Sequence, residues 1–79
     1  MDCKEKIGSR IKELRELKSM SQKDLAYTSD LDRSYIASVE NGKRNISIVN
    51  IEKIANALKV SLKVFFDHKN FEEYRDLNL

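Results

Sequence analysis

The sequence predicts an all-α domain of five helices. Three observations carry that prediction. The chain has no proline and two glycines among its 79 residues. Its isoleucines and valines recur at three- and four-residue steps instead of alternating. Ser21, Asp32, Ser47 and Ser61 each stand just ahead of such an apolar run, where short polar side chains satisfy free amides. One domain is expected over residues 1–66, followed by an acidic tail or short helix over residues 67–79.

Helix one is expected from about Lys4 to Lys18. Ile7, Ile11, Leu14 and Leu17 form its buried stripe. Lys18-Ser19-Met20 breaks it. Ser21 then caps helix two, with Asp24 three residues on as its capping-box partner. Leu25 and Ala26 face inward. Ser29-Asp30-Leu31 makes a turn, since Asp tolerates a left-handed backbone better than most residues. Asp32 caps helix three, where Ile36 and Val39 face the core and Arg33, Ser34, Ala37, Ser38 and Asn41 face out. Gly42 stops it. Ser47 caps helix four, with the inner stripe Ile48, Ile51, Ile54, Ala55 and Leu58. Ser61 caps a short helix five, Leu62 to Phe66. Asn70 and Glu73 can cap a last amphipathic turn carrying Phe71, Tyr74 and Leu77.

Helices two and three, joined by the tight turn at Asp30, read as a helix-turn-helix. That device places its second helix in the DNA major groove. The charge agrees. The formal net charge is +2, but residues before Asp67 carry thirteen Lys or Arg against nine acids, and the tail two against four. A basic body suits a polyanion, with the acidic tail turned elsewhere. Cys3 has no internal disulfide partner, no stretch is apolar enough to cross a bilayer, and the start does not look like a signal peptide, so a cytoplasmic location is expected. Enzymatic chemistry finds no support. His68 and Cys3 are single and far apart in sequence, and Gly42-Lys43 lacks the rest of a P-loop. No cofactor and no metal are expected.

The chain resembles the lambda-repressor-like helix-turn-helix family, also called the XRE family. The matching residues are Gln22-x-x-Leu25-Ala26, the turn with Leu31, Tyr35-Ile36-x-x-Val39-Glu40-Asn41-Gly42, and Arg44-x-Ile46-Ser47. The match continues through Ile51-x-x-Ile54-Ala55-x-Ala57-Leu58-x-Val60-Ser61 to Phe65-Phe66. The resemblance implies a five-helix lambda-repressor-like domain that binds a near-palindromic operator as a homodimer. Within the family, Leu31-Asp32-Arg33-Ser34-Tyr35-Ile36 and Arg44-Asn45-Ile46-Ser47 look most like the small controller proteins of restriction–modification systems. Phage repressors and antitoxins share most of the pattern. Three residues depart from it: Asp30 where Gly or Asn is usual, Ser19 where Gly is common, and Lys23 where activators that touch RNA polymerase often carry Glu.

Affinity for DNA comes mainly from phosphates and specificity from base edges. Arg33, at the exposed start of helix three, has the fork that fits guanine O6 and N7. Ser34 and Ser38 share its face and can meet bases, phosphate or water. Tyr35 is grouped with them; its hydroxyl either reaches the DNA or its ring is half buried. Gln22 opens helix two, where free amides favour a phosphate, and the resemblance implies that its side chain grips the backbone as well. Asn41, Lys43, Arg44, Asn45 and Ser47 form a polar cluster beyond helix three and are expected on phosphates. The resemblance also implies an ion pair between Arg15 and Glu40. A core this small does not hide every aromatic residue near the end, so Val49, Leu62, Phe65 and Phe66 are the expected dimer surface. Apolar residues at Arg33, Lys43 and Arg44 would have favoured an interaction module without DNA binding.

Overall fold

In the computed structural model residues 1–72 are described, and within them every regular element is helical. Helices α1 (Cys3–Leu17), α2 (Gln22–Ser29), α3 (Arg33–Glu40), α4 (Ile48–Ala57) and α5 (Leu62–Phe66) follow in order, then a single 3-10 turn over Lys69–Phe71. The five expected helices are all present.

Caps place most of the starts. Asp2 accepts from the Glu5 amide and the Glu5 carboxylate accepts from the Asp2 amide, at 2.9 and 3.0 Å. This reciprocal box, not foreseen, starts α1 at Cys3. Ser21 and Asp24 form the same box at α2. Ser47 accepts from the Asn50 amide and Ser61 from the Val64 amide. Asp32 is the exception. It stands at the N-cap position of α3, yet its side chain makes no cap hydrogen bond. Asp32 lines a surface cleft with Asp30 and Ser34.

The ends of α1, α2, α3 and α4 share one device. Ser19, Asp30, Gly42 and Lys59 have φ of 56°, 58°, 71° and 59°. The amide that follows each one reaches back to a carbonyl five residues earlier: Met20 to Arg15, Leu31 to Ala26, Lys43 to Ser38 and Val60 to Ala55. This closes the last turn in a Schellman motif. Three of the four manage it without glycine, at about 1 kcal/mol each. Glycine is needed at Gly42 for a second reason. A Cβ there would stand 2.8 Å from Glu5 Cγ, so the end of α3 lies flat on the start of α1. Gly8 serves the same joint from the other side: a Cβ there would meet the Val39 carbonyl oxygen at 2.2 Å.

Ile7, Ile11, Leu14, Leu25, Ala26, Ile36, Val39, Ile51, Ile54, Ala55, Ala57, Leu58 and Phe65 make one core. Within it α1 packs on α3, α2 on both α3 and α4, and α4 on α5. Two expectations need correction. Leu17 is 73% exposed, because α1 ends there and the chain turns back at Ser19; Met20, past the turn, packs on the core. Ile48 likewise is exposed, at the first position of α4, while the rest of that stripe is buried. After α5 the ring of His68, not the Asn70 side chain, caps the 3-10 turn, with Nδ1 accepting from the Asn70 amide at 3.0 Å. Glu73, Tyr74 and Leu77 lie outside the described residues.

Candidate nucleic-acid interface

Helix α3 has two faces of different chemistry. Ile36 and Val39 are buried, while Arg33 and Ser34 are exposed and Ala37 and Ser38 half-exposed. The spacing that hides the first pair therefore delivers the second set to solvent. Asn41, Lys43, Arg44, Asn45 and Ser47 follow as an exposed loop. The expected base-reading and phosphate-binding residues thus sit on α3 and the chain just after it, apart from Gln22.

The hidden side of the interface centres on Glu40. Its side chain is 2% exposed and that of Arg15 is 11% exposed. Arg15 donates from Nε to one carboxylate oxygen at 2.7 Å and from NH2 to the other at 2.9 Å. The third nitrogen, NH1, donates to the Met20 carbonyl at 2.8 Å. The hydrogen bond to Glu40 raises the Arg15 pKa, against a smaller opposing effect of burial. The negative charge of Glu40 is thereby neutralised inside the fold, and α3 is locked to α1. The expected pair is present, in the bidentate form.

Gln22 is placed differently from the expectation. Its side-chain amide donates to Glu40 Oε1 at 3.1 Å, so the side chain is turned into this cluster. What Gln22 leaves open at the start of α2 is its backbone amide and that of Lys23, since the Ser21 hydroxyl takes the Asp24 amide. A phosphate there meets main-chain donors and the positive helix end.

Tyr35 is half buried and its oxygen accepts from Asn50 Nδ2 at 3.0 Å. The Arg44 guanidinium carbon sits 4.9 Å from the centre of the Tyr35 ring. Tyr35, Arg44 and Asn50 line a cleft of about 280 Å³ with Asp30, Leu31, Asp32 and Ser34. Sequence reasoning missed Asn50. Its one signal is faint: it stands three residues after the Ser47 cap, where Glu or Gln would close a capping box.

Of the expected dimer residues, Val49 is 59% exposed, and Leu62 and Phe66 are half-buried. Phe65 is a correction. It is fully buried, with its ring centre 5.0 Å from Phe66 and 6.5 Å from Phe71. A five-residue helix has one position aimed squarely at the core, and in α5 Phe65 holds it, so it has no surface left for a partner. Sequence reasoning also missed Arg10, which is 8% exposed and donates to the carbonyls of Phe65 and Val64, each at 2.8 Å. Among the described residues there is no cluster of three His, Cys, Asp or Glu suited to a metal, and no helix long and apolar enough to cross a membrane.

Known proteins share this fold. The helix-turn-helix family profile matches residues 11–65. The control protein C.MunI of a Mycoplasma species is 47% identical over 66 residues, which are 82% of this chain and 89% of that protein. The crystal structure of the restriction-modification controller protein C.AhdI from Aeromonas hydrophila superposes with a TM-score of 0.77 at 49% identity, covering 80% of this chain and 96% of that one. A chain of the C.Esp1396I controller protein, from the crystal structure of its tetramer in complex with its natural 35 base-pair operator, superposes with a TM-score of 0.78 at 45% identity, covering 81% of this chain and 84% of that one. Its match to the profile, and relatives almost half identical over four-fifths of its length, place this chain in the helix-turn-helix family of sequence-specific DNA-binding regulators.

Proposed function

We propose that the protein is the controller of a restriction–modification operon and that it binds a near-palindromic operator as a homodimer in the cytoplasm. One observation carries this above the others. The start of α3 offers Arg33 and Ser34 to solvent, while Glu40 at its other end is neutralised by Arg15 and accepts a hydrogen bond from Gln22. A helix held so firmly on one side and polar on the other is built to be read against a groove. The relatives named as controllers, and the operator-bound tetramer of one of them, support the same function here.

In this role Arg33 is the main reading residue, with Ser34 and Ser38 beside it. Lys43, Arg44, Asn41, Asn45 and Ser47 lie along the phosphate strand, joined by the main-chain amides at Gln22. Val49, Leu62 and Phe66 give the dimer surface, which sets the two copies of α3 about 34 Å apart. If transcription is activated, the exposed acids Asp24 and Asp30 are where polymerase would meet the protein; an Asp24→Asn, Asp30→Asn variant that binds and activates normally excludes them.

The test is selection from random duplexes, followed by competition binding on the selected site and its single-base variants at two salt concentrations. Arg33→Ala should cost about 1–3 kcal/mol per half-site and flatten preference at one base pair. Arg44→Ala should weaken cognate and random DNA alike and lower the salt slope by about 1 per subunit. Unchanged base preference in Arg33→Ala would show that another residue reads the site. Sedimentation should show a dimer at micromolar protein; a monomer with and without DNA would refute the dimer.

A further inference from the structure

Arg44 is the one cation of the loop after α3 that rests on a ring. Its guanidinium lies over Tyr35, and the Tyr35 oxygen is held by Asn50 of α4. Asn50 is itself fixed at two points. Its main-chain amide donates to the Ser47 cap at 3.1 Å and its side chain to Tyr35 at 3.0 Å. Asp30 and Asp32 line the same cleft, yet neither pairs with Arg44 among the described residues. So the arginine is held by stacking alone, and its N–H groups stay open for an anion. A free arginine on a loop loses rotamer entropy when it grips a phosphate; one already laid on an aromatic face loses less, and the stacking adds a modest attraction.

We infer that Asn50 is a positioning residue for DNA binding: it fixes the Tyr35 ring as a platform and so sets where Arg44 meets the phosphate strand. This role rests on the operator binding proposed above.

A double-mutant cycle decides it. The DNA is the duplex that the wild-type protein selects from random sequence, and binding is read at several salt concentrations. Asn50→Ala should weaken binding by about threefold to tenfold and lower the salt slope by part of the unit that Arg44 contributes. In an Arg44→Ala background the same change should matter by less than about twofold, because the group it positions is gone. Tyr35→Phe, which keeps the ring and removes only the oxygen that Asn50 holds, should behave like Asn50→Ala; it reads the same link if Asn50→Ala does not fold. Equal losses in both backgrounds, or no loss in Asn50→Ala and Tyr35→Phe while Arg44→Ala is weakened, would overturn the role. A wild-type protein that selects no DNA sequence would instead refute the proposed function, and this role with it.

Discussion

Helix α1 is fastened at two joints by two arginines five residues apart, and the joints use different chemistry. Toward α3, Arg15 meets a buried carboxylate, Glu40, and two opposite charges cancel in the interior. Toward α5, Arg10 meets the neutral carbonyls of Val64 and Phe65, and its countercharge is Glu13, at 2.7 Å with 45% of its side chain exposed. At the first joint each partner needs the other. At the second the arginine serves the end of a short helix that has few other means to satisfy its carbonyls. The first joint sets α3; the second sets α5, from which part of the proposed dimer surface comes.

The largest effect is expected where both charges are buried. Glu40→Ala leaves Arg15 and the Gln22 amide without their acceptor. It should cost about 3 kcal/mol in denaturant unfolding, a large share of what a domain of this size has. Glu40→Gln, which keeps an acceptor but not the charge, should cost less. Operator affinity should fall with Glu40→Ala even under conditions where the variant stays folded, because α3 loses its anchor. An unchanged unfolding midpoint would mean that the pair adds nothing to the fold.

The second joint should break more gently. Arg10→Met keeps an apolar stem of similar length and removes three donors. Loss of the hydrogen bonds to Val64 and Phe65 should cost about 2 kcal/mol, since the acceptors left behind are neutral carbonyls and no buried charge loses its partner. The readout that separates the joints is function. Arg10→Met should loosen self-association measured by sedimentation while leaving the base preference of α3 as it was. A changed base preference would show that the joints are not independent.

The two joints also differ in how far the sequence foretold them. Glu40 stands inside the family motif and Arg15 is the side-chain partner that the resemblance implies for it, so this joint is legible in the sequence. The partners of Arg10 are main-chain carbonyls, which every residue carries and no sequence marks. Gly8 was overlooked for a related reason. Glycine inside a helix costs up to about 1 kcal/mol and so asks for a cause, but the cause, the Val39 carbonyl at 2.2 Å from where a Cβ would stand, belongs to another helix. The five helices and the serine caps at Ser21, Ser47 and Ser61 were legible because periodicity and capping are local. Asp32 was misjudged because a cap position and a cap hydrogen bond are different things. Phe65 was misjudged because spacing alone does not tell which of two adjacent aromatic residues points inward. The exposed face of α3 was legible for the same reason as the core: one periodicity decides both.

The smallest expected effect concerns acid at the second joint. The hydrogen bond from Arg10 is the main reason that Glu13 ionises below its usual value of 4.5; attraction from His68, whose Nε2 lies 3.3 Å away, adds to it, and desolvation opposes both. A carboxylate with a lowered folded-state pKa stabilises the fold above the ordinary carboxylate range. That contribution is lost as the pH falls through the folded value. Glu13 is nearly half exposed, so water screens the interaction and its share is under about 1 kcal/mol. Stability measured from pH 6 down to pH 3 should therefore fall slightly more steeply in the wild type than in Glu13→Gln, with the difference confined to the acid side. No such change is expected of the bond between Arg10 and the carbonyls of α5, which do not titrate. Identical acid limbs in the two proteins would place Glu13 outside the joint and leave Arg10 held by those carbonyls alone.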